Sequence, residues 1–564
     1  MNTTVPAVDM TFLCPHQAPR LSPFPQQREM RDRGLLSVAT LLLFALAALS
    51  SGGALAASEE AYVTLLYGDQ FVLGARVLGK SLRDTGTTKD LVALVSDGVS
   101  TYAQNLLSAD GWKVQKISLL TNPNPKSSRP KRFWGVYTKL KIFSLTQYKK
   151  VVYLDADTIV VKSIEDLFKC GKFCANLKHS ERLNSGVLVV EPSEALFKDM
   201  MDKVAVLPSY TGGDQGFLNS YYADFPNAHL FDPSIREEEV QSKPEPETQR
   251  LTTLYNADVG LYMLANKWMV EEKELRIIHY TLGPLKPWDW YTAWLIKPVE
   301  VWQEIRNRVE ASLPGTGGGK SPHDQHIVFI LFLLPFFVLI PIYYRTLIQA
   351  MRDLSGQGTL CVFGKRLYHQ YKSGTILPVY SSVATSSSSS SHPNQMFTDR
   401  ENGSIPPLFG HITSVAWIVS LGTSLGVAFM LIPLQVTPGT GLLLMYELTF
   451  TSFFLLFNGY LRLVHRWGSA VGNRAGHDDP SGKGHQRYIL NSDAIAILYW
   501  IIMALLAIFA PLWPILLGVS SLFAKLGMMV AGGVVLAVFM DHATVYLAKL
   551  AFIKGKKNSD LSRS

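Results

Sequence analysis

The sequence predicts an α/β domain followed by an α-helical membrane domain of about five spans. Two observations carry this reading, and chain length agrees with it. Between residues 58 and 313, apolar runs of strand length alternate with segments of helical periodicity. That alternation describes a largely parallel sheet with helices on its faces. From residue 326 to 548, long apolar runs are separated by short basic loops, and most runs reach the ~20 residues needed to cross a hydrocarbon core. At 564 residues the chain also exceeds what one hydrophobic core supports, since cores stop growing near about 250–300 residues.

The elements follow in order. Residues 1–57 read as a polar tail plus a signal. Arg28, Arg31 and Arg33 precede an apolar run from Leu35 to Leu49, and small residues lead to Ala54-Leu55-Ala56. A basic segment, a short apolar core and an Ala-x-Ala site describe a secretory signal; an uncleaved anchor fits the same residues. AYVTLLY (61–67) reads as a buried strand, VLGARVLGKSL (72–82) as a helix and DLVALVS (90–96) as a second strand. VYTKLKIFSLTQY (136–148) reads as a helix that feeds the strand KVVYLDADTIVV (150–161). Residues 234–250, rich in Glu, Pro and Lys, read as a surface loop, and 314–325 as a Gly-rich linker.

The predicted spans lie near 327–344, 412–434, 441–461, 494–518 and 526–547. Arg345, Arg352, Lys365, Arg366, Lys372 and Arg400 precede the second span. Arg462, Arg466, Arg474, Lys483 and Arg487 separate the third from the fourth, and the tail 549–564 is basic again. The connections 435–440 and 519–524 carry no Lys or Arg. Positive charge thus falls on alternate sides, and the basic side is cytosolic. Counting back places residues 58–325 in the lumen, the side that the N-terminal signal also requires. The loop near 373–408, with its Ser run at 386–391, reads as disordered and cytosolic, so Asn402-Gly403-Ser404 is expected to stay unglycosylated.

This topology explains most of the net charge of +8, and no nucleic-acid module is recognisable. Cys14, Cys170, Cys174 and Cys361 form no disulfide scaffold and no zinc framework. Cys170 and Cys174 can pair in an oxidising lumen, or stay as two thiols in a loop. Ionisable residues inside spans are few, Glu447, Asp541 and His542, which disfavours a transporter.

The chemistry centres on Asp155-Ala156-Asp157. A strongly apolar strand ends in two carboxylates, at the edge where open α/β sheets bind ligands. Oxygen ligands of that kind suit a hard divalent cation; a strand-terminal turn with solvated acids fits the local sequence as well. Asp214 similarly reads as the N-cap of a helix opening DQGFLNSYY.

Beyond the local pattern, residues 62 to 288 resemble glycosyltransferase family 8, the glycogenin-like retaining enzymes. The resemblance rests on YVTLLYGDQFVLGARVLGKSL (62–82), TKLKIF (138–143), DAD (155–157), NSGVLVVEPS (184–193), GGDQGFLN (212–219) and HYTLGPLKPW (279–288), in that order. It implies a GT-A, Rossmann-like domain. By resemblance, Asp155, Asp157 and His279 would bind Mn²⁺, an assignment that suits a mixed imidazole and carboxylate set. The opening segment, with Leu65, Tyr67 and Phe71, would hold the nucleotide of a UDP-sugar. Gly283 and Lys286 would meet the diphosphate, and Lys139 the diphosphate or the donor sugar. Asn184, Ser185 and Gly186 would line the sugar pocket. Asp214 and Gln215 would lie near the anomeric carbon, in a sugar-binding or positioning role.

A luminal catalytic domain followed by several spans resembles the plant glycogenin-like starch initiation protein subgroup. The resemblance implies a Golgi membrane enzyme that transfers glucuronic acid from UDP-glucuronate to a lipid acceptor, inositol phosphorylceramide. A xylan glucuronosyltransferase, a UDP-galactose or UDP-glucose enzyme of the same fold, and a membrane scaffold or transporter with an inactive luminal domain are the competing expectations. The donor carboxylate calls for an arginine. Arg129, Arg132 and Arg182 lie near the donor motifs, and Arg132 is the first choice. Trp288, Trp290, Tyr291 and Trp294 either meet the bilayer interface or pack the end of the catalytic domain. Oligomeric state is left open.

Overall fold

The computed structural model describes residues 59–122, 135–178, 180–234, 244–283, 285–316, 322–356, 406–474 and 485–561. The N-terminal signal or anchor, Cys14, Cys361, Arg129, Arg132, the Ser run and Asn402 lie outside the described residues.

Strand β1 (Glu60–Leu66) is apolar along almost its whole length and buried on both faces, as a central strand requires. A 3-10 turn at Asp69–Phe71 leads into helix α1 (Val72–Asp84). Strand β2 (Asp90–Val95) follows, then helix α2 (Thr101–Ala109), whose first turn is capped by Ser100 accepting from the Ala103 amide. Strand β3 (Lys113–Lys116) ends this βαβ run.

The segment Val136–Ser144 forms a 3-10 helix, shorter and tighter than the helix expected through residue 148. Its β-branched Val136, Thr138 and Ile142 weaken α-helix formation, and the Thr138 hydroxyl is used by the Leu120 amide. The expected single strand over 150–161 divides into β4 (Lys150–Leu154) and β5 (Thr158–Val160). Between them the chain turns, with the Thr158 amide and hydroxyl both donating to the Asp155 carbonyl at 3.0 and 2.7 Å.

Strands β6 (Phe173–Leu177) and β7 (Leu183–Val190) form a hairpin. Helices α3 (Glu194–Lys203) and α4 (Asp214–Tyr221), then strands β8 (His229–Leu230), β9 (Thr248–Leu251) and β10 (Ala257–Asp258) come next. Helix α5 (Val259–Ala265), strand β11 (Ile277–His279) and helices α6 (Thr292–Leu295) and α7 (Val299–Ser312) complete the α/β part. The expected surface loop at 234–250 therefore ends in a strand, and Glu245 and Glu247 pair with Lys150 and Lys172. Cys170 and Cys174 are joined by a disulfide.

The main sheet runs β3-β2-β1-β4-β7-β6-β9-β8, and a smaller one runs β10-β11-β5. Pairing is parallel from β3 to β4, but β7 is antiparallel to both β4 and β6. The sheet is thus mixed where a largely parallel one was expected, because a short hairpin can join only antiparallel strands. Helix α1 lies close over the sheet edge. A Cβ at Gly74 would stand 2.4 Å from the Ala156 carbonyl oxygen and 2.6 Å from the Trp288 ring, so only glycine admits this approach.

Among the described residues, five long helices follow: α8 (Pro322–Gly356), α9 (Phe409–Leu431), α10 (Pro438–Arg474), α11 (His485–Leu516) and α12 (Leu522–Leu561). All five are long and apolar enough to cross a membrane. They turn large apolar side chains outward, Met430 at 84% and Phe337 at 71% exposure, which a water-facing bundle would cover. The two parts of the chain are bonded together. The Trp290 amide donates to the Leu434 carbonyl at 2.9 Å, Arg306 to the Gln435 carbonyl at 2.6 Å, and the Gln435 side chain to the Gln70 carbonyl at 2.8 Å. The aromatic cluster divides accordingly. Trp288 packs inside the α/β domain near Phe71 and Trp302, whereas Trp290, Tyr291 and Trp294 pack against the long helices.

Candidate active site

The site forms where β4 ends. Residues two apart on a strand share a face, and here the Tyr153 hydroxyl donates to Asp155 Oδ1 at 2.7 Å. The turn after β4 then carries Asp157 toward β11, the strand paired with β5. That pairing brings His279, 122 positions further along, to Asp157: Nε2 lies 3.3 Å from Asp157 Oδ1. One ligand atom each from Asp155, Asp157 and His279 all fall within 4.8 Å of one another.

The hydrogen bonds around His279 fix how it can act. Asn256 donates from Nδ2 to Asn184 Oδ1 at 2.9 Å, which turns its own Oδ1 to His279 Nδ1, also at 2.9 Å. Nδ1 must then carry the proton. Nε2 faces the Asp157 carboxylate, and a cation between the two would take the Nε2 lone pair in place of a proton. Two carboxylates and a neutral imidazole fit a divalent transition metal. Close packing holds the ring in place: a Cβ at Gly186 would lie 2.1 Å from His279 Cε1.

Two lysines balance the acids. Lys286 donates to Asp157 Oδ2 at 2.6 Å and to the Tyr280 carbonyl at 3.2 Å. Burial opposes ionisation of Asp157, but Lys286 and His279 outweigh it and hold this carboxyl below the usual range. Lys139 is buried, 3.0 Å from Asp155 Oδ1 and 3.1 Å from Asp214 Oδ2, and bonds the Ser185 carbonyl at 3.0 Å. Burial would lower its pKa; Asp155 and Asp214 together raise it, so it stays charged. Lys139 therefore joins the possible metal corner to the segments expected to line a sugar pocket.

Asp214 is not the N-cap of α4. Gly213 is, and Asp214 at the first helical position points instead to Lys139 and to the Ser185 hydroxyl, which donates to it at 2.8 Å. Gln215 accepts from Asn184 Nδ2 at 3.1 Å and donates to the Tyr210 hydroxyl at 3.0 Å. The Tyr210 ring carries the Arg182 guanidinium 3.9 Å above its centre. Tyr67 and Phe71 meet edge to face at 4.8 Å, and the Tyr67 phenol is pushed up to about 12 by burial and by the charge of Asp155. Leu65 is buried near the end of β1, and Gly283 is exposed.

Sequence reasoning missed Asn256, Tyr153 and Tyr210. Tyr153 was legible by strand alternation with Asp155. Asn256 lies in no recognisable pattern, and its role depends on β10 and β11 lying side by side.

An acidic pair at the end of a central strand, completed by a histidine from a second small sheet, is the construction of a GT-A type glycosyltransferase. This chain belongs to glycosyltransferase family 8. The family's sequence pattern, glycosyl transferase family 8, matches residues 62–172. Inositol phosphorylceramide glucuronosyltransferase 1 of Arabidopsis thaliana is 55% identical over 534 residues, 93% of this chain and 97% of that protein. UDP-glucuronate:xylan alpha-glucuronosyltransferase 1 of Arabidopsis thaliana is 36% identical over 165 residues, 29% of this chain and 25% of that protein. Among solved structures, the galactosyltransferase LgtC in complex with donor and acceptor sugar analogs is 18% identical, with a TM-score of 0.33, and covers 46% of this chain and 100% of that one.

Proposed function

We propose that this glycosyltransferase moves glucuronic acid from UDP-glucuronate to inositol phosphorylceramide, with retention of configuration and with Mn²⁺ held by Asp155, Asp157 and His279. The observation that carries the reading is the match to inositol phosphorylceramide glucuronosyltransferase 1, which covers 93% of this chain and so extends well beyond the α/β domain. Bound there, the metal would supply positive charge to the departing diphosphate. Lys286 would supply a second point charge to the same phosphates. Lys139 would hold Asp155 and Asp214 in register, and Asn184, Ser185, Asp214 and Gln215 would orient the donor sugar. The α/β domain would lie in the Golgi lumen, tethered beside the bilayer that supplies its acceptor.

The glucuronate carboxylate requires a cation, and Arg182 is the candidate among the described residues. It stacks on Tyr210, one hydrogen bond from Gln215, and leaves its guanidinium edge available for a bidentate contact. The test is a donor panel with the full chain, Mn²⁺ and inositol phosphorylceramide. UDP-glucuronate is expected to be the preferred donor, and Arg182→Ala to raise its KM roughly tenfold while leaving the KM for UDP-glucose unchanged. Efficient use of UDP-galactose or UDP-glucose by the native chain, with UDP-glucuronate ignored, would overturn the reading.

A further inference from the structure

Between the long helices and the end of the α/β domain lies a cavity of about 700 Å³ that the chemistry above does not use. Trp290, Tyr291 and Trp294 form its wall on the α/β side, while Tyr446, Phe454 and Met503 line it from α10 and α11. No Asp, Glu, Lys, Arg or His is among its lining residues. It is partly open at the surface of the helical part, and its size suits a ligand site. An apolar cavity among membrane helices admits hydrocarbon and not water.

Three lining side chains carry polar atoms with no hydrogen-bond partner among the described residues: Trp290 Nε1, Trp294 Nε1 and Thr449 Oγ1. These atoms are covered, so a ligand meets them only after side-chain movement. Their grouping on one cavity fits an occupant that brings amide or hydroxyl oxygens at the head of an apolar chain. Trp290 itself is held in place, so the Trp294 indole and the Thr449 hydroxyl are the groups left to turn toward an occupant. Trp290 is 5% exposed, its amide is bonded to Leu434, and Gly441 lies so close beneath it that a Cβ there would approach the ring to 2.4 Å.

The position of this wall decides which lipid belongs there. Trp290 follows Lys286 by four residues, so about 14 Å of chain at most separates it from the lysine bonded to Asp157. A lipid whose tail lies against Trp290 is therefore close enough for its headgroup to reach the acid pair. We propose that the cavity is the tail site of the acceptor: it receives one hydrocarbon chain of the lipid that is glycosylated, and so aligns the headgroup with the donor. This rests on the lipid acceptor proposed above.

The test uses the full chain in phosphatidylcholine nanodiscs with UDP-glucuronate and Mn²⁺. Ala504→Phe and Ala507→Phe fill the cavity; Ile497→Phe, on the outward face of α11, is the control. Each is assayed with long-chain inositol phosphorylceramide and with a short-chain analogue, and UDP-glucuronate hydrolysis reports an intact donor site. The cavity variants are expected to raise the KM for the long-chain acceptor roughly tenfold, with the short-chain KM, hydrolysis and the control unchanged. A long-chain KM within about twofold of native for both variants, or an equal loss with both acceptors, overturns the assignment. A second arm needs no variant: inositol phosphorylceramide with a photoactivatable tail should label α10 or α11 of the native chain. Equal labelling by a photoactivatable phosphatidylcholine would make the occupant a bystander lipid and overturn it as well. If the native chain glycosylates neither acceptor, the proposed function itself fails; if it glycosylates both and ignores the cavity variants, only the tail site fails.

Discussion

The α/β domain and the helical part of this protein treat buried polar groups in opposite ways. At the end of β4, Lys139 pairs with both Asp155 and Asp214, Asp157 pairs with both His279 and Lys286, and ligand atoms of Asp155, Asp157 and His279 bring the two sets within 4.8 Å. Removing one leaves another charge unpaired in a partly dry setting, where the cost is high. Among the long helices, Asp541 in the middle of α12 accepts from Ser414 and Trp417 of α9, and the cavity beside Trp290 is lined without charge. The first region is a coupled network in which single changes should act as a switch. The second is a packed apolar assembly in which single changes should be graded.

Asp157 offers the largest expected effect. Its two oxygens face His279 and Lys286 separately, so Asp157→Asn removes a proposed metal ligand and unpairs Lys286 at once. Transfer is expected to fall roughly 10³-fold, with metal titration failing to restore it. The check is initial rate against Mn²⁺ concentration, beside electron paramagnetic resonance of bound Mn²⁺. A variant that keeps more than a tenth of native activity would mean that the network is not coupled as drawn.

The same contrast governs what could be read from the sequence. Strand and helix signals in 61–96 and the five apolar runs follow from local composition, and the structure places β1, α1, β2 and the long helices there. That Asp155, Asp157 and His279 come together was legible because ordered motifs name residues far apart in the chain. The turn that splits 150–161 into β4 and β5 was not, because nothing local distinguishes a strand that stays in its sheet from one that leaves it. Asn256 was hidden for the same reason. It acts only through the tertiary pairing of β10 with β11. The Gln435 contact to Gln70 and the cavity likewise depend on segments far apart in the chain.

Gly186 sharpens the contrast at intermediate size, because it changes no charge. A methyl group there would meet His279 Cε1 at 2.1 Å, Nδ1 at 2.7 Å and Asn184 Oδ1 at 3.0 Å. The ring is held by Asn256 on one side and cannot retreat without breaking that bond. Gly186→Ala is therefore expected to weaken Mn²⁺ binding about 10- to 100-fold, the usual effect of disturbing what orients a ligand. Mn²⁺ titration followed by paramagnetic resonance measures it, and an unchanged circular dichroism spectrum separates displacement of His279 from loss of fold. Native metal affinity in this variant would show that His279 is not held by packing.

Asp541 gives the smallest expected effect and the most direct test of the helical half. Its carboxylate joins α12 to α9 through the Ser414 hydroxyl and the Trp417 indole, the latter at 3.1 Å. Interhelical hydrogen bonds of this kind contribute about 0.6 kcal/mol on average, because separated helices find other partners in the membrane. Asp541→Ala should thus lower the melting temperature in detergent by roughly 2 °C and leave the KM for both substrates unchanged. A loss of transfer comparable to that of Asp157→Asn would place a working ionisable group inside the helical part, as transporters have. It would also remove the distinction between a charged, coupled site at the sheet edge and the apolar assembly packed against it.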